Sequence, residues 1–308
     1  MSQHFKRILV PLDGSRLAES ALSVAVVLAR CLDAKISLLH IVEEHAPQRV
    51  HGEPHLTTAQ EAERYLAALA ERLAAGAAGV AVERHVHGTE EQDVAGSIAA
   101  HVAELEADMV ALCTHGRSGL RRVVSGSIAQ QVLRRVTAPV LLVRPDMPPL
   151  STVGAVMLPL DNTHPVEAVL SVTADIARTC GATVQIVNVV PTIGTLTGDE
   201  QAAARLTPIA TAATLDAEEE ESRAHLQTVV DKLARLGIDT RCEVRRGDTP
   251  RNLVEAATER GAALVVLATH ARAGLGAFWI GSVAASIIGK ASQPLLLVRV
   301  ESAKTPDS

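Results

Sequence analysis

Aromatic residues are almost missing from this 308-residue chain, which holds one Trp, one Tyr and two Phe. A core without large rings has to be assembled from Ala, Val, Leu and Ile, which suits helices packed closely on a parallel sheet. Long apolar runs are missing too. None approaches the roughly 20 residues that a membrane-crossing helix needs. The N-terminal MSQHFKRILVPLDGS runs straight into a strand pattern, so a soluble, cytoplasmic protein is expected. Neither sign of charge dominates: a net charge of −6 with acids and bases interspersed argues against a nucleic-acid binder. Cysteine is scarce. Cys31, Cys113, Cys180 and Cys242 show no C-x-x-C spacing and lie in helix or strand patterns, so they read as buried small apolar residues in a reducing compartment. Of the 12 histidines, His45, His51 and His55 crowd one loop, but no cysteine or carboxylate stands at ligand spacing. They read as solvated, and no metal site built by the protein alone is expected.

What is present is densest from Cys113 to Arg144, CTHGRSGLRRVVSGSIAQQVLRRVTAPVLLVR. An apolar run, Asp108 to Cys113, reads as a buried strand. In the loop after it, Gly116, Gly119 and Gly126 lack Cβ atoms where a backbone could curl around a ligand, and Arg117, Arg121 and Arg122 bring positive charge. Ser127-x-x-Gln130 reads as a capping box opening a helix, with Ile128, Val132 and Val136 on one face. Strand, basic glycine loop and helix start in that order make an anion site, because orphan N–H groups and the positive end of the helix dipole converge there.

These residues resemble the universal stress protein family, whose nucleotide-binding members carry G-x2-G-x9-G-[S/T] after the fourth strand. Here the second glycine is Gly116, nine residues run from Arg117 to Ser125, and Gly126-Ser127 close the motif. Cys113 stands where the first glycine belongs, a departure at the ribose end rather than the phosphate end. Pro139 to Arg144, PVLLVR, is similar to the family's last strand.

Upstream, Arg7 to Leu12 reads as a strand and Ser15 as the cap of a helix striped with Leu17, Ala21, Leu22, Val24, Ala25 and Leu28. Ile36 to Val42 is a second strand, and Thr58-x-x-Glu61 starts a helix carrying Tyr65, Leu66, Leu69 and Leu73. Val80 to Val86 alternates as an edge strand does, and Gln92 to Glu106 is helical. Then the pattern restarts. Leu9-Val10-Pro11-Leu12-Asp13 returns 148 positions on as Met157-Leu158-Pro159-Leu160-Asp161, and Leu38-Leu39-His40-Ile41-Val42 returns at the same offset as Ile186-Val187-Asn188-Val189-Val190. Thr114-His115, Gly126-Ser127 and Pro139 to Arg144 recur 155 positions on. One fold is present twice, with the extra length expected in loops, chiefly Thr192 to Leu215.

The expected architecture is α/β: two doubly wound, Rossmann-like domains, residues 1–145 and 152–300, joined by the proline-rich Pro145 to Ser151. The family resemblance implies five-stranded parallel sheets of order 3-2-1-4-5. Two features of the sequence agree with it. The third strand alternates in both halves, and the fifth, Val140 to Val143 and Leu295 to Val298, is apolar throughout. An apolar edge needs a cover, so the fifth strands should pair with each other into an intramolecular pseudo-dimer. The sequence leaves further homo-oligomers undecided.

Ligands of such sheets lie beyond the carboxyl ends of the strands where the order reverses. The resemblance implies that Asp13 contacts the ribose side, that the backbone at Ile41 recognises the adenine edge, and that Gly116, Arg117, Gly119, Gly126 and Ser127 hold phosphates. ATP is the implied ligand, with a magnesium ion held mainly by the nucleotide and water. In the second half the motif reads Ala268, Ala271 and Gly281-Ser282, and three Arg or Lys replace six, so a degenerate site is expected there. No G-x4-G-K-[S/T] or S-G-G-x-D-S loop is present, and no catalytic residue is assigned. The expectation is a stress-response regulator whose nucleotide state biases contact with a protein partner. The alternatives are a slow ATPase or phosphotransferase using Asp13 or His115, and a nucleotide-independent scaffold.

Overall fold

The computed structural model describes residues 5–44, 46, 49–50, 52–76, 79–114, 128–161, 167–271 and 282–301. The first half runs β1 (Arg7–Pro11), α1 (Arg16–Leu32), β2 (Lys35–Glu43), a small hairpin of β3 (Arg49–Val50) and β4 (Glu53–Pro54), α2 (Ala59–Gly76), β5 (Val82–Glu91), α3 (Val94–Glu104), β6 (Met109–Cys113), α4 (Ile128–Arg135) and β7 (Val140–Val143). The second runs β8 (Ala155–Pro159), α5 (Glu167–Cys180), β9 (Thr183–Val190), α6 (Gly198–Leu206), α7 (Pro208–Ala234), β10 (Thr240–Arg246), α8 (Thr249–Glu259), β11 (Leu264–Ala271), α9 (Ser282–Lys290) and β12 (Leu295–Glu301).

Ten strands join one continuous sheet in the order β5-β2-β1-β6-β7-β12-β11-β8-β9-β10. Within each half all neighbours are parallel, in the expected 3-2-1-4-5 order. The halves meet where β7 and β12 pair antiparallel, Val140 with Leu297, Leu141 with Leu296 and Leu142 with Leu295. All four residues of β7 are buried, as are Leu295 to Val298. Left as edges, these strands would have exposed both apolar side chains and unpaired backbone; against each other they expose neither. The outer strands β5 and β10 contain no buried residue, and β5 carries Glu83 paired with Arg7 and Lys35, the charged finish that keeps an edge from recruiting another strand.

The sheet divides the interior into two layers. On one face α1, α2, α5 and α7 pack over Ile8, Val10, Leu38, Ile186 and Val266. On the other α3, α4, α8 and α9 pack over Leu9, Leu39, Val110, Val265 and Leu297. Aliphatic residues fill most of both, as the shortage of aromatics required, with Phe5 a buried aromatic of the first layer. Among the described residues no helix is long and apolar enough to cross a membrane.

Two expectations fail. Thr192 to Leu215 is not a loop: Ile193–Thr195 forms a short 3-10 turn, α6 follows, and Pro208 opens α7 at a first-turn position where its missing N–H leaves no helical bond unmade. The cysteines are not four buried free thiols either. Cys31, near the end of α1, is disulfide-bonded to Cys180 at the end of α5, their Cα atoms 5.2 Å apart, while Cys113 is half-buried and Cys242 is exposed on the β10 edge. Spacing hides this bridge because its ends are 149 residues apart and belong to different halves. Only the head-to-head arrangement of the two sheets brings α1 against α5.

Candidate functional site

The order of the first half reverses between β1 and β6, so the crevice of interest lies beyond the carboxyl ends of β1, β2 and β6. Its first wall is the turn from β1 into α1. The Leu12 N–H donates to the Leu39 carbonyl at 2.8 Å, carrying the β1–β2 pairing one step past β1. Asp13 comes next. Its Oδ1 accepts from the Ser15 N–H at 2.9 Å and the Ser15 hydroxyl at 2.6 Å, the local bonding that makes Asp a turn residue. Ser15, fully buried, in turn caps α1 by accepting the Ala18 N–H at 3.2 Å. Between them Gly14 has φ +88°, and a Cβ there would lie 2.8 Å from Leu56 Cγ, so glycine is demanded both by backbone angle and by space. The carboxylate of Asp13 is thereby held at the strand end.

Ile41 lies within β2, which runs one residue past the expected Val42 to Glu43, with a register shift between Ile41 and Glu43. The Ile41 side chain is buried with Leu9, Leu39, Leu112 and Val132. Pairing of β2 with β1 stops at Pro11 and Leu39, whereas Ile41 still pairs with His87 of β5. Any ligand contact at this position therefore falls to the main chain.

Cys113 is the last residue of β6. Its Sγ lies 3.1 Å from the Ser20 hydroxyl of α1 and 3.2 Å from the Thr114 carbonyl. Burial pushes the thiol pKa up to about 11, with the carboxylates of Asp13 and Asp146 acting in the same direction, so this cysteine is packing rather than a nucleophile. Thr114 is buried and anchors strand four to strand five, its N–H donating to the Val143 carbonyl at 2.8 Å. Gly116, Arg117, Gly119, Gly126 and Ser127, with Arg121, Arg122 and His115, lie outside the described residues. What is described is α4 starting at Ile128, immediately after Ser127, with Val132 and Leu133 buried beneath it.

Four side chains that the sequence did not assign to the site meet this wall. His40 is buried, and its Nδ1–H donates to the Leu12 carbonyl at 2.8 Å. His55, expected in solvent, is buried instead, its ring centroid 6.5 Å from that of His40. Glu53 places Oε2 2.7 Å from the Arg16 N–H at the start of α1. Tyr65 donates its hydroxyl to Glu19 at 3.0 Å; burial and the carboxylates of Glu19 and Asp13 raise its pKa. A signal for His40 existed. Both copies of the second strand, LLHIV and IVNVV, put a polar residue at the same position of an apolar run. Among the described residues no group of three His, Cys, Asp or Glu is placed to hold a metal ion.

The second half keeps this scaffold and changes the crevice. Asn188 replaces His40 and donates to the Leu160 carbonyl, the counterpart of Leu12, again at 2.8 Å. Thr269 repeats Thr114, its hydroxyl 3.2 Å from the Val298 carbonyl. However, β11 runs on to Ala271, paired with Glu301, whereas β6 stops at Cys113. Beyond β9, Leu196, Ala204 and Leu215 are buried against Val190, so the helical insertion fills the space past the second strand with its own side chains.

The family model described as Universal stress protein family matches the chain twice, over residues 4–144 and 153–299. A single-copy relative, universal stress protein YxiE of Bacillus subtilis, is 29% identical over 153 residues, covering 46% of this chain and 99% of its own. A universal stress protein of Staphylococcus haemolyticus is 30% identical over 145 residues, 46% of this chain and 85% of the relative. Among solved structures, a universal stress protein from Archaeoglobus fulgidus superposes with a TM-score of 0.63 at 17% identity, covering 96% of this chain and 97% of that one. A functionally unknown protein from Pseudomonas aeruginosa gives 0.62 at 19%, covering 96% and 92%.

Proposed function

The chain belongs to the universal stress protein family, in two successive copies, and from that premise we propose that its first half binds an adenine nucleotide and its second half does not. ATP with Mg²⁺ is the ligand. Asp13 meets the ribose, the Ile41 main chain meets the adenine edge, and Gly116, Gly119 and Gly126 leave room for phosphates held by Arg117 and Ser127. Magnesium would be held by the nucleotide and water rather than by protein side chains, and would offset the phosphate charge. The nucleotide state then biases contact with a protein partner in a stress response.

The observation that carries this reading is the fixed carboxylate of Asp13 at the end of β1, beside β6 in the sheet, the strand after which the family's glycine motif stands in the sequence. The donor set suits the group: an acceptor for ribose hydroxyls, and the orphan N–H groups of a helix start for phosphate. Support for a degenerate second half comes from the strand conformation of Ala271, where the motif has its second glycine, and from Leu196, Ala204 and Leu215 beyond β9.

Equilibrium dialysis of the full chain with labelled ATP and magnesium tests the proposal. One nucleotide per chain is expected, lost in Gly126→Val and retained in Gly281→Val. Absence of binding at millimolar ATP removes the proposal, and two equivalents per chain remove its assignment of the halves.

A further inference from the structure

The same carbonyl is bonded by His40 in one half and by Asn188 in the other, at the same 2.8 Å. The bond itself therefore does not require a histidine. What distinguishes the first half is a residue that can take a second proton, set beside another of its kind. Because Nδ1–H is committed to the Leu12 carbonyl, Nε2 of His40 carries a lone pair, and it is buried without a hydrogen-bond partner. Nδ1 of His55 is likewise buried and unpartnered. The Nε2 of His55 lies 3.9 Å from Glu43 Oε1. The charge of Asp13 in the β1–α1 turn acts on His40 and on Tyr65 of α2.

His55 belongs to a segment, residues 52–57, that lies over the Asp13 turn. Among the described residues its contacts there include Glu53 on the Arg16 N–H, Leu56 against Gly14, and His55 beside His40. The β3–β4 hairpin at its start pairs only with itself, apart from the ten-stranded sheet. We propose that the His40–His55 contact is a proton-operated latch that keeps residues 52–57 seated on the Asp13 turn while His40 is neutral and releases them when His40 is protonated. A proton on Nε2 of His40 would place a charge in a buried site, with loss of hydration and with no acceptor for the new N–H among the described residues.

The direction follows from the same surroundings. Burial, the largest influence, lowers the pKa of His40 below 6.5; the bond to Leu12 and the charge of Asp13 oppose it, and His55 adds to it. A histidine whose folded value is lowered contributes stability that is complete above its unfolded value and lost as pH falls through the folded one. The latch is thus shut at neutral pH and opens as pH falls through the lowered value of His40. Its consequence for ligand entry rests on the nucleotide reading above, but its existence does not.

Hydrogen–deuterium exchange of the full chain, with no nucleotide added, separates the two. After correction for intrinsic exchange, protection of peptides covering residues 52–57 should fall at least tenfold between pH 7.5 and pH 5.5, while peptides covering β1, β6 and β9 stay protected. His40→Asn, which copies the solution used at Asn188, should leave protection equal at both pH values. Unchanged protection in the unmodified protein overturns the latch, as does an undiminished pH effect in His40→Asn. Since the first comparison needs no variant, a folding defect in His40→Asn leaves the test intact.

Discussion

Leu141 stands opposite Leu296 in the antiparallel ladder between β7 and β12, and the two are the same position of the repeat, 155 residues apart. The pseudo-twofold axis relating the halves therefore passes between a residue and its own counterpart, and neither side chain is exposed at all. Such an isologous contact makes each half the cover for the other's apolar edge.

Because the pair is shared equally, Leu141→Ala and Leu296→Ala should destabilise the protein by similar amounts, about 2–5 kcal/mol each. The double variant should lose less than the total of the two, since both leave one common cavity. Urea unfolding midpoints check this, and a loss confined to one variant would show that the axis is not felt energetically.

The Cys31–Cys180 bond ties the halves together at a second place near that axis. Thiol titration of denatured protein should count two thiols without reductant and all four after it. Closing so long a loop restricts the unfolded chain, so reduction should lower stability by about 2–4 kcal/mol. Calorimetry with and without reductant measures the shift in Tm.

The two free cysteines should separate by reactivity. With its thiol pushed up to about 11 by burial, Cys113 should alkylate at least tenfold more slowly at pH 8 than exposed Cys242. Peptide mapping after timed iodoacetamide treatment gives both rates. Faster labelling of Cys113 would mean that the contact with Ser20 is broken in solution.

At the outer edge, Lys35 and then Arg7 hold the Glu83 carboxyl below its ordinary 4.5. A carboxylate lowered in the folded state stabilises above its unfolded pKa, and that contribution vanishes as pH falls through the folded value. Glu83 is 40% exposed, so solvent screening limits the effect to under about 1 kcal/mol. Glu83→Gln should therefore lower the urea midpoint slightly at pH 7 and not at all near pH 2. A difference independent of pH would assign the loss to packing.

Removing the Asn188 bond should be costlier than its single hydrogen bond implies. Asn188→Leu leaves the Leu160 carbonyl buried without its side-chain donor, a loss of about 1–3 kcal/mol. Asn188→His should recover most of it, because His40 makes the same bond in the first half. Chemical denaturation of the three proteins provides the comparison.

The sequence alone was sufficient for the doubled fold, through repetition at fixed offsets, and for the pairing of the fifth strands, through the rule that a wholly apolar edge must be covered. The strand order came from the family resemblance, with the alternating third and apolar fifth strands in agreement with it. The sequence also marked Asp13 as a strand-end carboxylate, since a Pro-Leu-Asp-Gly-Ser run before a helix has few other uses. It misread His55, Cys31, Cys180 and the insertion after Thr192. Burial of His55 depends on Leu56 reaching Gly14 across the β1 turn, and the disulfide depends on two helices from different halves meeting near the pseudo-twofold axis. The apolar contacts of Leu196 and Leu215 with Val190 depend on the insertion folding back over β9. These are encounters between segments distant in the chain, and no local pattern encodes them: solvation of a histidine or partnership of a thiol is settled by what the completed fold brings alongside.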